Sequence, residues 1–187
     1  NLSMASGANT IKSQIDGLTI NVQGTNNVSS DDYATVRFEK SATITGGGTL
    51  NVSQNKPNQP GWSIYAHNNS SLTIKTCTVN TTNGSAGIIG SKGGTLTIDN
   101  AYISASSSGE SVSRFADIVL RSAAIMEPAG AVVSTGSDTF KAVRNASGAI
   151  LSGTVTIEPF YDLWICGTQV TPQNIDNLEA LTVGASG

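Results

Sequence analysis

Few residues of this chain have the types and spacing that catalysis requires. His67 is the one histidine, and no serine or cysteine stands at a spacing that would pair with it as an activated nucleophile. Asp31 and Asp32 are adjacent, but a calcium ion needs about six or more oxygen ligands, and no Asp-x-Asp-x-Asp spacing surrounds them. The sequence therefore leans against an enzyme and predicts no catalytic residues, no metal site and no cofactor, with calcium unsupported.

The scarce aromatic residues favour binding over catalysis. Sugar rings present apolar C–H faces that pack on flat aromatic groups, and their hydroxyl groups need planar polar partners nearby. The stretch "NQPGWSIYAHNN" supplies both kinds of group, although Trp62 could also fold over a corner and merely pack. The candidate carbohydrate-binding residues are Trp62, Tyr65, His67, Asn68 and Tyr102, with the amides of Asn58 and Gln59 beside the first of them.

Composition indicates that short β-strands position these residues. At 187 residues the chain is long enough for one domain with a sizeable core, and only 12% of it is charged. Gly, Ser, Thr and Asn are frequent, and no periodic run of helix-forming residues occurs. The net charge of −3 leaves no basic face, which argues against a nucleic-acid partner. No stretch approaches the roughly 18 apolar residues of a transmembrane segment.

One short phrase recurs along the chain. "LTIKTCTV" from Leu72, "LTIDNAYI" from Leu96 and "IVLRSAAI" from Ile118 all place apolar or small residues first, third, sixth and eighth. Because side chains alternate between the two faces of a strand, each phrase predicts two inward-facing strands separated by a two-residue bend.

The interval between phrases predicts a solenoid. Leu50, Leu72, Leu96, Ile118 and Phe140 follow one another at 22, 24, 22 and 22 residues. The intervening sequence, such as "TTNGSAG", lacks the pattern of leucine-rich repeats. We therefore predict an all-β parallel β-helix with about 22 to 24 residues per coil. The first interval, from Leu18 to Leu50, is 32 residues, and its excess is expected to loop out within "GTNNVSSDDYATVRFEKS".

Stacked coils would align equivalent residues in ladders. Two inward ladders are predicted, together with one outward ladder of mixed charge. The first inward ladder comprises Leu18, Leu50, Leu72, Leu96 and Ile118, and the second comprises Ile20, Val52, Ile74, Ile98 and Leu120. The outward ladder comprises Lys75, Asp99 and Arg121.

The end of the chain reads differently from the solenoid. We predict a solenoid over residues 1–159 and a separate segment over 160–187, in which "DLWICGTQV" alternates like a strand. "TPQNIDNLEAL" predicts a short helix with Thr171 as its N-cap. This segment would be either a cap that protects the last coil or the beginning of a further module.

The repeats "IDGLTINVQGTN", "ATITGGGTLNV", "SLTIKTCTV" and "GGTLTIDNAYI", with the tail "YDLWICGTQVTPQNIDNL", resemble the modular right-handed parallel β-helix surface proteins of gut bacteria, the carbohydrate-binding-domain-containing family. The resemblance covers most of the chain, from about Ile15 to Leu178. It implies an exported, extracytoplasmic protein at the cell surface that contacts polysaccharide or another cell-surface glycan.

Three functions follow from these observations. The first is a non-catalytic polysaccharide-binding or adhesion module, and the alternative is a structural stalk or spacer of a larger surface protein. The third is a pectate-lyase-like enzyme, suggested by β-helix shape alone. A lyase needs calcium carboxylates clustered on adjacent coils, whereas Asp99 would be a single carboxylate between the cations Lys75 and Arg121.

Overall fold

The computed structural model describes residues 2–55 and 60–160, together with the backbone of Trp164–Ile165 and Thr168–Gln169. Within this part of the chain the structure is all-β and contains no helix. Its strands stack in parallel coils, so the predicted β-solenoid is confirmed, with five coils along its most regular face. Within the same residues no helix is long and apolar enough to cross a membrane.

Each coil contributes strands to three faces. Face 1 consists of β3 (Leu18–Asn21), β6 (Ala42–Thr45), β9 (Leu72–Lys75), β11 (Thr95–Asp99) and β13 (Asp117–Arg121). Face 2 consists of β1 (Ser3–Ser6), β4 (Thr25–Ser30), β7 (Thr49–Gln54) and the first halves of β10 (Thr78–Ile89) and β12 (Tyr102–Ser113). Face 3 consists of β2 (Ile11–Ser13), β5 (Ala34–Phe38), β8 (Trp62–Ala66) and the second halves of β10 and β12.

The ladders of face 1 form the apolar interior. Ile44, Ile74 and Ile98 occupy the same register position on successive coils. All three are fully buried. The complete ladders are Leu18, Ala42, Leu72, Leu96 and Ile118, and Ile20, Ile44, Ile74, Ile98 and Leu120.

The predicted place of Leu50 and Val52 in these ladders is wrong. Both residues lie on β7 in face 2, where Leu50 pairs with Val79, and Ala42 occupies the expected position of Leu50. The segment predicted to loop out forms β4 and β5, a full part of the second coil. Alternation identifies a strand but not its face, and "TLNV" alternates in the same way as "TLTI".

The corners between faces 1 and 2 match the predicted two-residue bends. Thr76, Asn100 and Ser122 adopt positive φ values of 53°, 48° and 44°, each directly after the face 1 strand of its coil. Left-handed backbone is unusual for threonine and serine. The repeated path of the coil therefore imposes this conformation whatever residue stands at the corner.

Antiparallel strands end the stack. After β13 the chain forms β14 (Ala123–Glu127), the hairpin of β15 (Val132–Thr135) and β16 (Lys141–Arg144), and β17 (Gly153–Pro159). β17 pairs antiparallel to both β12 and β14 and separates them. Phe140, which follows Ile118 at the 22-residue interval, lies buried directly before β16, so the parallel repeat does not extend to it.

The terminal segment is described only in part. β18 (Trp164–Ile165) and β19 (Thr168–Gln169) pair antiparallel within the stretch predicted to be a strand. The helix predicted for "TPQNIDNLEAL" lies outside the described residues. So does most of the segment predicted to be a cap or the beginning of a further module.

Candidate functional site

The outer side of face 3 carries a second apolar cluster, separate from the interior. Ile64 and Ile88 belong to the solenoid core, and the next residues along their strands, Tyr65 and Ile89, belong to the outer cluster. Strand alternation explains this division, because successive side chains leave opposite sides of the sheet. Ala34, Ala86 and the partly exposed Trp62 complete the cluster.

Four rings form a row across this cluster. Trp62 stands at its centre, with ring centroids 4.3 Å from Tyr33 and 4.2 Å from Tyr65, both in edge-to-face geometry. Tyr65 lies 5.1 Å from the His67 ring. Trp62 therefore packs on its neighbours, as the alternative interpretation held, and also remains partly exposed.

The predicted platform residues differ in accessibility. Tyr65 is on the outer side but only 7% exposed, so its ring faces other side chains and has little surface for a ligand. Tyr33, which the sequence analysis did not select, is 39% exposed and lies directly against Trp62. The accessible aromatic surface is therefore the pair Tyr33 and Trp62.

Polar contacts fix the Tyr65 and His67 end of the aromatic row. His67 Nδ1 lies 2.7 Å from the Tyr65 hydroxyl, and His67 Nε2 lies 3.7 Å from Glu39 Oε2. The same carboxylate lies 2.8 Å from Arg37 Nε and accepts a 3.3 Å hydrogen bond from Asn68 Nδ2. Burial raises the pKa of Tyr65. His67 and Asn68 therefore contact Tyr65 and Glu39, and neither lines the pocket beside Trp62.

A groove of about 350 Å³ opens beside the exposed aromatic pair. Trp62, Ala86 and Glu110 are lateral neighbours on successive coils, so the groove runs along the solenoid axis. Two inter-strand steps of about 4.8 Å separate Trp62 from Glu110, which gives a length of roughly 10 Å. Tyr33 and Trp62 form one end, and Glu110 and Arg114 form the other. The residues between them are Ser85, Ala86, Ile89 and Gly109.

Glu110 and Arg114 form a fixed polar pair at the far end. Arg114 donates from Nε and Nη2 to the two carboxylate oxygens at 2.9 Å and 2.6 Å, and the Ser113 hydroxyl donates to the same carboxylate. Burial opposes ionisation of Glu110, but the hydrogen bonds from Arg114 and Ser113 outweigh it and lower the pKa. The hydrogen bond to Glu110 raises the pKa of Arg114. The groove thus ends in a charged pair with no net charge.

We expect Glu110→Gln to destabilise the chain at neutral pH and to have no effect in strong acid. The lowered pKa of Glu110 means that its stabilisation is present above the unfolded-state pKa and disappears as the pH falls through the folded-state pKa. Urea denaturation at a series of pH values measures the difference. The control is Glu127→Gln, at an exposed site; a constant difference for Glu110→Gln at every pH would contradict the expectation.

The other candidates lie elsewhere. Tyr102 is 36% exposed at the start of β12 and pairs with Thr78 on face 2, so the structure does not bring it to the groove. Asn58 and Gln59 lie outside the described residues. Asp32 accepts a 2.9 Å hydrogen bond from Asn9.

The outward ladder of mixed charge has the predicted register. Asp99 stands between Lys75 and Arg121 on face 1, with Lys75 Nζ 3.3 Å from its Oδ2. An exposed pair of this kind contributes about 0 to 1 kcal/mol. Within residues 2–55 and 60–160, no three His, Cys, Asp or Glu side chains lie close enough together to hold a metal ion.

Comparison with protein-family models, with curated proteins and with solved structures finds no match to this chain. The resemblance to surface proteins of gut bacteria therefore stays a prediction from the repeat pattern.

Proposed function

We propose that this chain is a non-catalytic polysaccharide-binding module that holds a glycan in the groove of face 3. The observation that carries the proposal is the exposed pair Tyr33 and Trp62 at one end of a groove whose other end is the Glu110–Arg114 pair. A sugar ring packs its C–H face on the aromatic pair, and the next ring along the axis meets planar groups that accept and donate hydrogen bonds to hydroxyls.

The length and depth of the groove favour a short stretch of an extended chain. Roughly 10 Å accommodates about two sugar rings, and the groove is open to solvent on its outer side. A shallow site of this kind has few buried contacts, so we expect a dissociation constant in the range of about micromolar to millimolar. The right-handed winding and the cell-surface location belong to the same proposal and are supported by the repeat resemblance alone.

A glycan array, run with and without calcium, identifies the ligand, and calorimetry with the matching soluble oligosaccharide tests the site. We expect Tyr33→Ala and Trp62→Ala each to weaken binding about fivefold or more, because each removes one ring from the stacking surface. The matched control is Ile15→Ala, which removes an exposed apolar side chain that does not line the groove.

Three results would contradict this proposal. Undiminished binding by the Tyr33 and Trp62 double variant would place the site elsewhere. Absence of binding to any glycan would favour the structural stalk. Shortened products from pectin or polygalacturonate incubated with the pure chain would favour the enzyme.

A further inference from the structure

Face 2 differs from the other two faces in its charge. None of the described residues in β1, β4, β7 or the first halves of β10 and β12 is charged. Face 1 carries the Lys75–Asp99 pair, and the outer side of face 3 carries Arg37 and Glu110. A contiguous uncharged surface over five coils is therefore a specific property of face 2.

The outward side chains of face 2 form a regular array of hydroxyl and amide groups. Parallel pairing in constant register places them in columns along the solenoid axis, repeated at about 4.8 Å. The first column is Thr25, Thr49, Thr78 and Tyr102, the second is Ser3, Asn27, Asn51, Asn80 and Ser104, and the third is Ala5, Ser29, Ser53 and Thr82. The second and third columns line a shallow trough of about 350 Å³, to which Met4, Val28 and Val52 also contribute.

The asparagine column is held in place by its own hydrogen bonds. Asn51 Nδ2 donates to Asn27 Oδ1 at 2.8 Å, and Asn80 Nδ2 donates to Asn51 Oδ1 at 2.8 Å. Each amide that donates here has a second N–H outside this chain of bonds. The hydroxyls of Thr49 and Thr78 make no hydrogen bond among the described residues. The asparagine column is thus fixed in position, and each amide that donates along it retains a second N–H.

The chemistry of this array favours one class of ligand. Protein interfaces are enriched in aromatic, methionine and arginine side chains and depleted in serine, whereas these columns consist mainly of serine, threonine and asparagine, with Tyr102 as their one aromatic residue. Nucleic acid needs cations, which face 2 lacks. An ordered, uncharged polyhydroxylated surface presents neutral donors and acceptors at repeating distances, and it can meet many equivalent groups at once.

We propose that face 2 is a second binding surface, for ordered insoluble neutral polysaccharide. Each hydrogen bond to such a surface is weak, and the affinity comes from several coils engaging together. This surface is separate from the groove of face 3, so it would bind even if the groove does not. The two sites differ in ligand form: a single soluble chain for the groove and a packed polysaccharide surface for face 2.

The test measures co-sedimentation with microcrystalline cellulose and with insoluble chitin in the Trp62→Ala background, which disables the groove. We expect that background to bind at least one of the two solids. Adding Asn51→Lys or Thr49→Lys is expected to lower the partition coefficient about tenfold, since either change brings an unpaired charge to a desolvated surface. The matched control is Thr73→Lys, an equivalent outward position between Thr43 and Thr97 on face 1.

Several outcomes would overturn the proposal. One is absence of binding to both solids. Another is that the lysine variants of face 2 and face 1 have the same partition coefficient, whether both bind as well as the Trp62→Ala background or both bind less. A dimer in sedimentation velocity that Thr49→Lys dissociates would show instead that face 2 joins two copies of the chain. Circular dichroism of Thr49→Lys and Asn51→Lys checks that the fold is retained, and Thr49→Lys leaves the asparagine column intact.

Discussion

Replacing Ile98 with aspartate is expected to destabilise the chain by about 4 kcal/mol, while the same replacement at Thr97 changes the free energy of unfolding by no more than about 0.5 kcal/mol. Ile98 is fully buried between Ile74 and Leu120 in the interior ladder, where a carboxylate has neither water nor a cation. Thr97 is the next residue along β11 and faces outward. Total stabilities are about 5 to 15 kcal/mol, so Ile98→Asp brings the chain close to unfolding.

Urea denaturation followed by far-UV circular dichroism measures both variants. Ile98→Val is a useful third variant, because it removes one methylene group without introducing charge and is expected to cost about 1 kcal/mol. The expected order of destabilisation is Ile98→Asp, then Ile98→Val, then Thr97→Asp. This order tests the burial of Ile98 and the register of face 1 together. Equal tolerance of aspartate at positions 97 and 98 would contradict the register of face 1.

The regular faces of the solenoid could be predicted from the sequence because the coil repeats a local rule. Alternation and an interval of 22 to 24 residues were enough to place Leu72, Leu96 and Ile118 in one ladder. The same rule failed at Leu50, since β7 on face 2 carries an alternation indistinguishable from that of face 1. It failed at Phe140 as well, because the antiparallel hairpin contains alternating strands of its own.

The candidate site was predicted in part, for a related reason. Trp62 and Tyr65 are close in sequence, so the sequence indicated the aromatic cluster directly. Glu110 was missed although Trp62, Ala86 and Glu110 follow one another at the same 24-residue interval. Glu110 could have been found only by knowing that the 24-residue interval repeats on face 3 as well as on face 1. Tyr33 lies in a turn before β5, and a turn has no periodicity that would indicate its direction.

The hairpin at the end of the stack depends on one buried cation. Arg144 on β16 is only 3% exposed, and its Nη2 donates to both carboxylate oxygens of Asp138 at 2.6 Å and 2.7 Å. Its Nη1 donates to the Gly148 carbonyl at 3.1 Å. A Cβ atom at Gly136 would lie 2.8 Å from Nη1, so the chain passes close to this guanidinium. The pKa of Asp138 is lowered, first of all by the hydrogen bond from Arg144.

We expect Arg144→Met to destabilise the chain by about 2 kcal/mol, because it leaves the carbonyl groups of Ser134 and Gly148 without their buried donor. Hydrogen exchange, followed by mass spectrometry, should show faster exchange in β15 and β16 and little change in β9 and β11, if the hairpin opens as a local unit. Lys141→Met removes a cation from the same strand without touching Asp138 and is expected to be nearly silent. Unchanged exchange in β15 and β16 of Arg144→Met would contradict the role of Arg144. Uniformly faster exchange in all coils would show that the antiparallel end and the parallel stack unfold as one cooperative unit, in which case the hairpin stabilises the whole solenoid through its contacts with β12.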